Sequence, residues 1–165
     1  EVLGIGTNFQ QALQKSIPLI NGNKEENYIL CSISDREKTE SLAILQEIVK
    51  ENYKLAATEG TALFLTSNGF TVDLVVKDEE NLNDIFRNKP IQAVINIPNQ
   101  GRNKNKFGFQ MREYAVRYKV PVFTHLDTIE TTLSVEKMLG ANSEVRTVSE
   151  YYKLEKEGAT HVRSN

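Results

Sequence analysis

Lys54-Leu55-Ala56-Ala57-Thr58-Glu59-Gly60-Thr61-Ala62 reads as a buried strand that stops at a threonine, turns on a glycine and starts a helix, because Leu63-Phe64-Leu65 continues the apolar run at once. A strand feeding a helix through Thr-x-Gly-Thr leaves backbone N–H groups and two hydroxyls facing one point. The first amides of a helix lack intrahelical partners, and its macrodipole favours an anion there by roughly 0.3–1 kcal/mol, up to about 2 when partly buried. The plainer reading is a strand–helix turn with a threonine cap.

On either side of this stretch the same strand-then-helix unit repeats. Upstream, Tyr28 to Ser32 is apolar on both faces, and Ser34-Asp35-Arg36-Glu37 has capping-box spacing, which predicts a helix from there to about Asn52 with Leu42, Leu45, Ile48 and Val49 inward. Downstream, Asn68-Gly69 ends the central helix and Thr71 to Val76 is a third strand. A polar turn at Lys77-Asp78-Glu79-Glu80 leads into a short helix marked by Leu82, Ile85 and Phe86, which Lys89-Pro90 breaks. Gln92 to Ile97 is a fourth strand, followed by a loop from Asn99 to Lys106 and a helix carrying Met111, Ala115 and Tyr118. Lys119 to Phe123 is a fifth strand, and Thr124 with Asp127 has the spacing to cap a helix to about Leu139.

Short, continuously apolar strands alternating with helices predict a parallel sheet covered on both faces. With right-handed crossovers this is an α/β fold, a Rossmann-like three-layer sandwich around a five-stranded parallel sheet. Ligands of such sheets bind beyond the carboxyl ends of the strands. At the amino end, Thr7 and Gln10 have capping spacing and Phe9, Leu13 and Ile17 share a helix face with little to pack on; Asn21 to Asn27 is polar and turn-rich. Val145 and Val148 suggest a short added strand, and Lys153 onward a charged tail.

The 165 residues are 39% hydrophobic and 25% charged, enough for a core, and the net charge of −2 argues against general nucleic-acid or membrane binding. No apolar run approaches the roughly 20 residues of a membrane span. A soluble, cytoplasmic protein is expected, and Glu1 at the start suggests a piece of something longer. The single cysteine, Cys31, lies in an apolar strand pattern and reads as core; His125 and His161 have no ligand cluster near them, so no metal site is expected. Gly101 to Val120 carries Arg102, Lys104, Lys106, Arg112, Arg117 and Lys119 but no accompanying nucleic-acid motif.

The strand ends bring forward a candidate anion cradle. Lys38 opens a helix, Lys77 follows the third strand, and Thr58, Thr61 and Asn96 supply neutral donors. No acid or histidine from these ends is placed as a general base, so binding is expected rather than chemistry. Glu59 is tolerable there only if it points away.

In order and spacing, Ser32-Ile33-Ser34-Asp35-Arg36-Glu37-Lys38, Ala57-Thr58-Glu59-Gly60-Thr61-Ala62, Val94-Ile95-Asn96, Met111-Arg112-Glu113 and Val120-Pro121-Val122-Phe123-Thr124 resemble the methylglyoxal-synthase-like domain that closes the large subunit of carbamoyl phosphate synthetases. The resemblance covers roughly residues 28–140. Glu1-Val2-Leu3-Gly4 with Phe9 and Ala12-Leu13 is similar to the end of the ATP-grasp unit that precedes that domain. It implies a remnant of that unit at 1–22, a linker at 23–27, the domain at 28–140 and an extension at 141–165.

It further implies a noncatalytic, allosteric domain that binds an anionic effector such as UMP, IMP or N-acetylglutamate. The contacts implied are Lys38, Thr58, Thr61, Lys77, Asn96 and Ser32, with Gly60, Asn99 and Thr124 as further neighbours. Asn96-Ile97-Pro98-Asn99 is closer to the N-acetylglutamate-binding form, although Lys77 stands where that form relies on a tryptophan. The implied partners are the rest of the large subunit and the glutaminase small subunit. The parent ligase uses ATP and magnesium to make carbamoyl phosphate for arginine or pyrimidine synthesis, and this fragment holds no cofactor. Two alternatives stay open. One is a ligand-free contact domain; the other is methylglyoxal synthase itself, whose glycine-rich, aspartate-bearing segment is replaced here by Val76-Lys77-Asp78-Glu79-Glu80-Asn81.

Overall fold

The computed structural model describes residues 3–16, 26–98, 106–139 and 146–153. Eleven elements are named along it: α1 (Phe9–Ser16), β1 (Tyr28–Ile33), α2 (Lys38–Lys50), β2 (Lys54–Thr58), α3 (Glu59–Ser67), β3 (Leu74–Val76), α4 (Glu79–Asn88), β4 (Ile91–Ile97), α5 (Lys106–Arg117), β5 (Val122–Phe123) and α6 (Leu126–Leu139). The chain forms two compact units, Ile20–Glu130 and the pair of terminal segments Glu1–Leu19 and Thr131–Asn165. The polar linker expected at 23–27 falls largely, and Asn99 wholly, outside the described residues.

The strands form one five-stranded sheet in the order β3-β2-β1-β4-β5, and every pairing is parallel. This is the Rossmann-like α/β arrangement that the apolar strand runs predict. The order reverses between β1 and β4, so the sheet's switch point lies there, where ligands of doubly wound sheets gather. The period-two alternation of strand side chains divides the core. Leu30, Ala56, Val76 and Val94 pack with Leu82, Ile85 and Phe86 of α4 and with Met111 and Ala115 of α5. Phe86 stacks on Tyr114 and Tyr118 at centroid distances of 5.9 and 5.6 Å. The alternate strand positions, including Ile29, Cys31, Leu55 and Ile95, are equally buried, and α3 lies against β1, β2 and β3.

Several boundaries differ from the sequence expectation, each for a local reason. Helix α2 begins at Lys38 rather than Ser34. The Ser34 N–H is taken by the Ile97 carbonyl at 3.1 Å, which keeps that residue in line with β4, and a turn closed by Glu37 N–H to Ser34 O at 3.0 Å precedes the helix. Its buried stripe is Ser41, Ile44, Leu45 and Ile48, with Leu42 half-buried and Val49 exposed. Thr58 is the N-cap of α3 but makes no capping bond with its side chain. Strand β3 starts at Leu74 because Asp73 folds around Leu55, donating its N–H to the Leu55 carbonyl and accepting the Leu55 N–H on its carboxylate. Strand β5 starts at Val122 because Lys119 has a φ of 57°, outside the extended region. Asp78 caps α4, accepting the Asn81 N–H at 2.8 Å, so the polar segment there is a helix start rather than a free turn. Gly69, at a φ of 84°, ends the α3 segment as Asn68-Gly69 predicts.

In the terminal unit the cap of α1 is Asn8, which accepts the Gln11 N–H, while Gln11 accepts from Thr7; the Thr7/Gln10 pairing is one residue out of place. Residues 148–153 are helical, so Val148 is not in a strand, and Val145 lies outside the described residues. Thr147 and Glu150 form the capping box of that turn, and their hydrogen bonds hold the Glu150 carboxyl below the usual carboxylate range. No helix among the described residues is long and apolar enough to cross a membrane.

Cys31 is wholly buried and donates its S–H to the Ile29 carbonyl at 3.8 Å; burial pushes its pKa up to about 12. At pH 8 only about one thiol in ten thousand is then ionised. The native protein is expected to be inert to an aromatic disulfide reagent over hours and to react fully once unfolded in guanidinium. Rapid labelling of the native protein would contradict this placement.

Candidate anion-binding site

The register of the sheet sets the carboxyl-end residues in one row. Thr58 pairs with Val76, Cys31 with Ala57, Ser32 with Asn96, and Ile95 with Phe123. Val76, Thr58, Ser32, Asn96 and Thr124 therefore stand side by side across the five strands, with Lys77 one residue beyond Val76. Neighbouring strands are about 4.8 Å apart, so the row spans about 19 Å while its central three residues span about 10 Å. Thr58, Ser32 and Asn96 are thus near enough to one another for a single small molecule to span, whereas the two ends of the row are not.

Around that centre the side chains interlock. Thr61 is buried, and its Oγ1 accepts the Ile33 N–H at 3.0 Å and the Thr58 hydroxyl at 3.2 Å. A hydroxyl has two lone pairs and one proton, so with both lone pairs used Thr61 has only donation left to offer. The Lys38 ammonium reaches across from α2 to the Gly60 carbonyl at 2.8 Å, lies 5.7 Å from the Phe64 ring centroid and meets Asp35 Oδ1 at 2.6 Å. A lysine as the first residue of a helix opposes the macrodipole, so its position there is not explained by helix stability. Glu59 is exposed.

On the other side of the switch point Asn96 is buried, accepts from the Arg112 guanidinium through Oδ1, and donates Nδ2 to the Met111 sulfur at 3.9 Å. Gly108 makes room there: a Cβ on it would stand 3.3 Å from Asn96 Nδ2 and 3.6 Å from Arg112 Nη1. Arg112 was not among the residues expected at the site. Its signal lay in the helical spacing: Met111 and Ala115 mark the inward side of α5, and Gly108 lies one turn before Arg112.

Ser32, Lys38, Thr58, Gly60, Thr61 and Asn96 thus gather at the ends of β1, β2 and β4. Lys77 lies at the β3 edge with an exposed side chain, its N–H bonded to Asn81 Oδ1 at 3.3 Å. Thr124 lies at the opposite edge, its Oγ1 3.0 Å from His125 Nδ1. Of the other basic residues on α5, Arg117 pairs with Glu113 at 3.2 Å and stacks over Tyr114. Among the described residues no three His, Cys, Asp or Glu side chains form a group able to hold a metal ion.

The family model of the MGS-like domain matches residues 40–124. The chain belongs to the MGS-like domain family. Over 141 residues it is 38% identical to the carbamoyl phosphate synthase large chain of Clostridium botulinum strain Eklund 17B, covering 82% of this chain and 13% of that one. The same kind of chain from Clostridium beijerinckii is 35% identical over 141 residues, and that of Thermoanaerobacter sp. strain X514 is 28% identical over 165 residues, covering 98% of this chain and 15% of its own length. The chain is thus homologous to the C-terminal region of these large chains and spans only 13–15% of the curated relatives it matches. Within the MGS-like match lie Thr58, Thr61, Lys77, Asn96, Arg112 and Thr124; Ser32, Asp35 and Lys38 precede it.

Proposed function

We propose that this MGS-like chain is the effector-binding regulatory part of a carbamoyl phosphate synthase large chain. Its ligand is an anionic small molecule of the kind represented by UMP, IMP or N-acetylglutamate. The observation that carries this reading is the Lys38 ammonium, drawn over the β2–α3 turn onto Gly60 beside the Thr58 and Thr61 hydroxyls. A phosphate or carboxylate at that point gains a charge-assisted hydrogen bond from Lys38, the free amides at the start of α3 and the proton of Thr61. Asn96 and Arg112 offer polar contacts to the rest of the molecule.

In this reading the ligand acts by population shift. It favours whichever arrangement of the loops after β1, β2 and β4 it binds best, and that preference is passed to the remainder of the large chain. The parent reaction, ATP-dependent and glutamine-hydrolysing, then takes place elsewhere in the large chain and its glutaminase partner.

Titration calorimetry with UMP, IMP and N-acetylglutamate tests the reading. Saturable one-to-one heat with at least one of them is expected. No heat with any of the three would leave the chain as a contact surface of its parent, a role to which the exposed Leu63, Phe109 and Val116 are also suited.

A further inference from the structure

The Lys38–Asp35 pair is unequal. The lysine side chain is 12% exposed and held on three sides, by Gly60, by Phe64 and by the carboxylate itself; the Asp35 side chain is 91% exposed. Asp35 sits in the short turn before α2, whose backbone is pinned at both ends by Ser34 N–H to Ile97 O and Glu37 N–H to Ser34 O. The carboxylate can therefore swing into solvent by rotating its own side chain, with no change in the turn. The lysine is held by the Gly60 carbonyl and the Phe64 ring as well. A half-buried ammonium that carries its counter-charge on a solvent-exposed neighbour is arranged for exchange of that counter-charge.

We propose that Asp35 is a built-in counter-anion of this site. It occupies the Lys38 ammonium when no ligand is present, and the incoming anion must displace it. The inference rests on the anion-binding reading above and adds to it the residue that sets the affinity. Displacement cancels part of what Lys38 gains from the ligand, and the carboxylate then repels the bound anion from close by. Removing the charge while keeping the shape relieves both effects. Asp35 as a plain helix-start residue, complementing the α2 dipole, would instead affect stability and leave binding alone.

The test is titration of the whole chain with inorganic phosphate, in wild type, Asp35→Asn, Asp35→Glu and Asp35→Asn combined with Lys38→Ala. Asp35→Asn is expected to bind phosphate roughly three- to tenfold tighter, with a gain that weakens as salt is raised. Asp35→Glu should return to near the wild-type affinity, and in the Lys38→Ala background the Asn substitution should gain less than about twofold. If wild type binds phosphate and Asp35→Asn binds it equally or more weakly, the counter-anion role is wrong while the site stands. If neither binds, both the role and the site are wrong. Thermal melts run alongside show whether the Asn variant is folded.

Discussion

Lys38→Ala is expected to lower the affinity for UMP or inorganic phosphate by about tenfold or more while leaving the fold intact. A hydrogen bond from a charged donor contributes about 1.5–3 kcal/mol, which corresponds to roughly one to two orders of magnitude in affinity. The lower end applies because Asp35 already satisfies the ammonium in the free protein. Stability should change by less than about 1 kcal/mol, since the ion pair is open to water on the carboxylate side and a lysine at the first position of α2 works against the helix dipole. Calorimetry and a urea titration on the same preparation separate the two effects. Unchanged binding in a folded Lys38→Ala protein would remove the lysine from the site.

Thr61→Val should show the opposite pattern in stability. The substitution keeps the shape and removes the oxygen that accepts the Ile33 N–H at 3.0 Å, at the end of the central strand and away from water. A buried donor left without a partner costs about 1–3 kcal/mol. For a chain of this size a loss of about 2 kcal/mol lowers the melting temperature by about 4–8 °C. Thr61→Ser, which retains the oxygen, should recover most of that loss. Thr58→Val should cost much less, because the Thr58 hydroxyl is half-buried and donates only to Thr61. Thr61 thus ties the β2–α3 turn to β1 and, in the proposed reading, also offers its proton to the ligand. A Thr61→Val protein that melts with the wild type would mean that the tie between the turn and β1 contributes little.

The architecture was legible because parallel strands buried on both faces must be apolar throughout. Tyr28-Ile29-Leu30-Cys31 and Gln92-Ala93-Val94-Ile95 admit few other interpretations, and the crossover rule then orders the sheet. The carboxyl-end residues followed from strand ends alone, and the register sets Thr58, Ser32 and Asn96 side by side. What escaped was decided by competition between distant partners. Ser34 begins no helix because Ile97, more than sixty residues away, claims its N–H. Thr58 makes no capping bond, and its hydroxyl is instead turned onto Thr61 Oγ1, to which it donates at 3.2 Å. Arg112 stayed hidden because an arginine on a basic helix reads as solvated, and only the packing of α5 onto β4 turns it toward Asn96. Lys77 and Lys38 look equivalent in the sequence, yet one follows an edge strand and is exposed while the other lies folded over the central turn.

That the carboxyl ends of β1, β2 and β4 bind an anion is tested most directly by following backbone amide resonances of the nitrogen-15-labelled chain during a titration with UMP. Shifts concentrated at Ile33–Lys38, Glu59–Ala62 and Asn96–Ile97, saturating together on one binding curve, are the expected result. Shifts that gather elsewhere on the chain, or none at millimolar ligand, would contradict it.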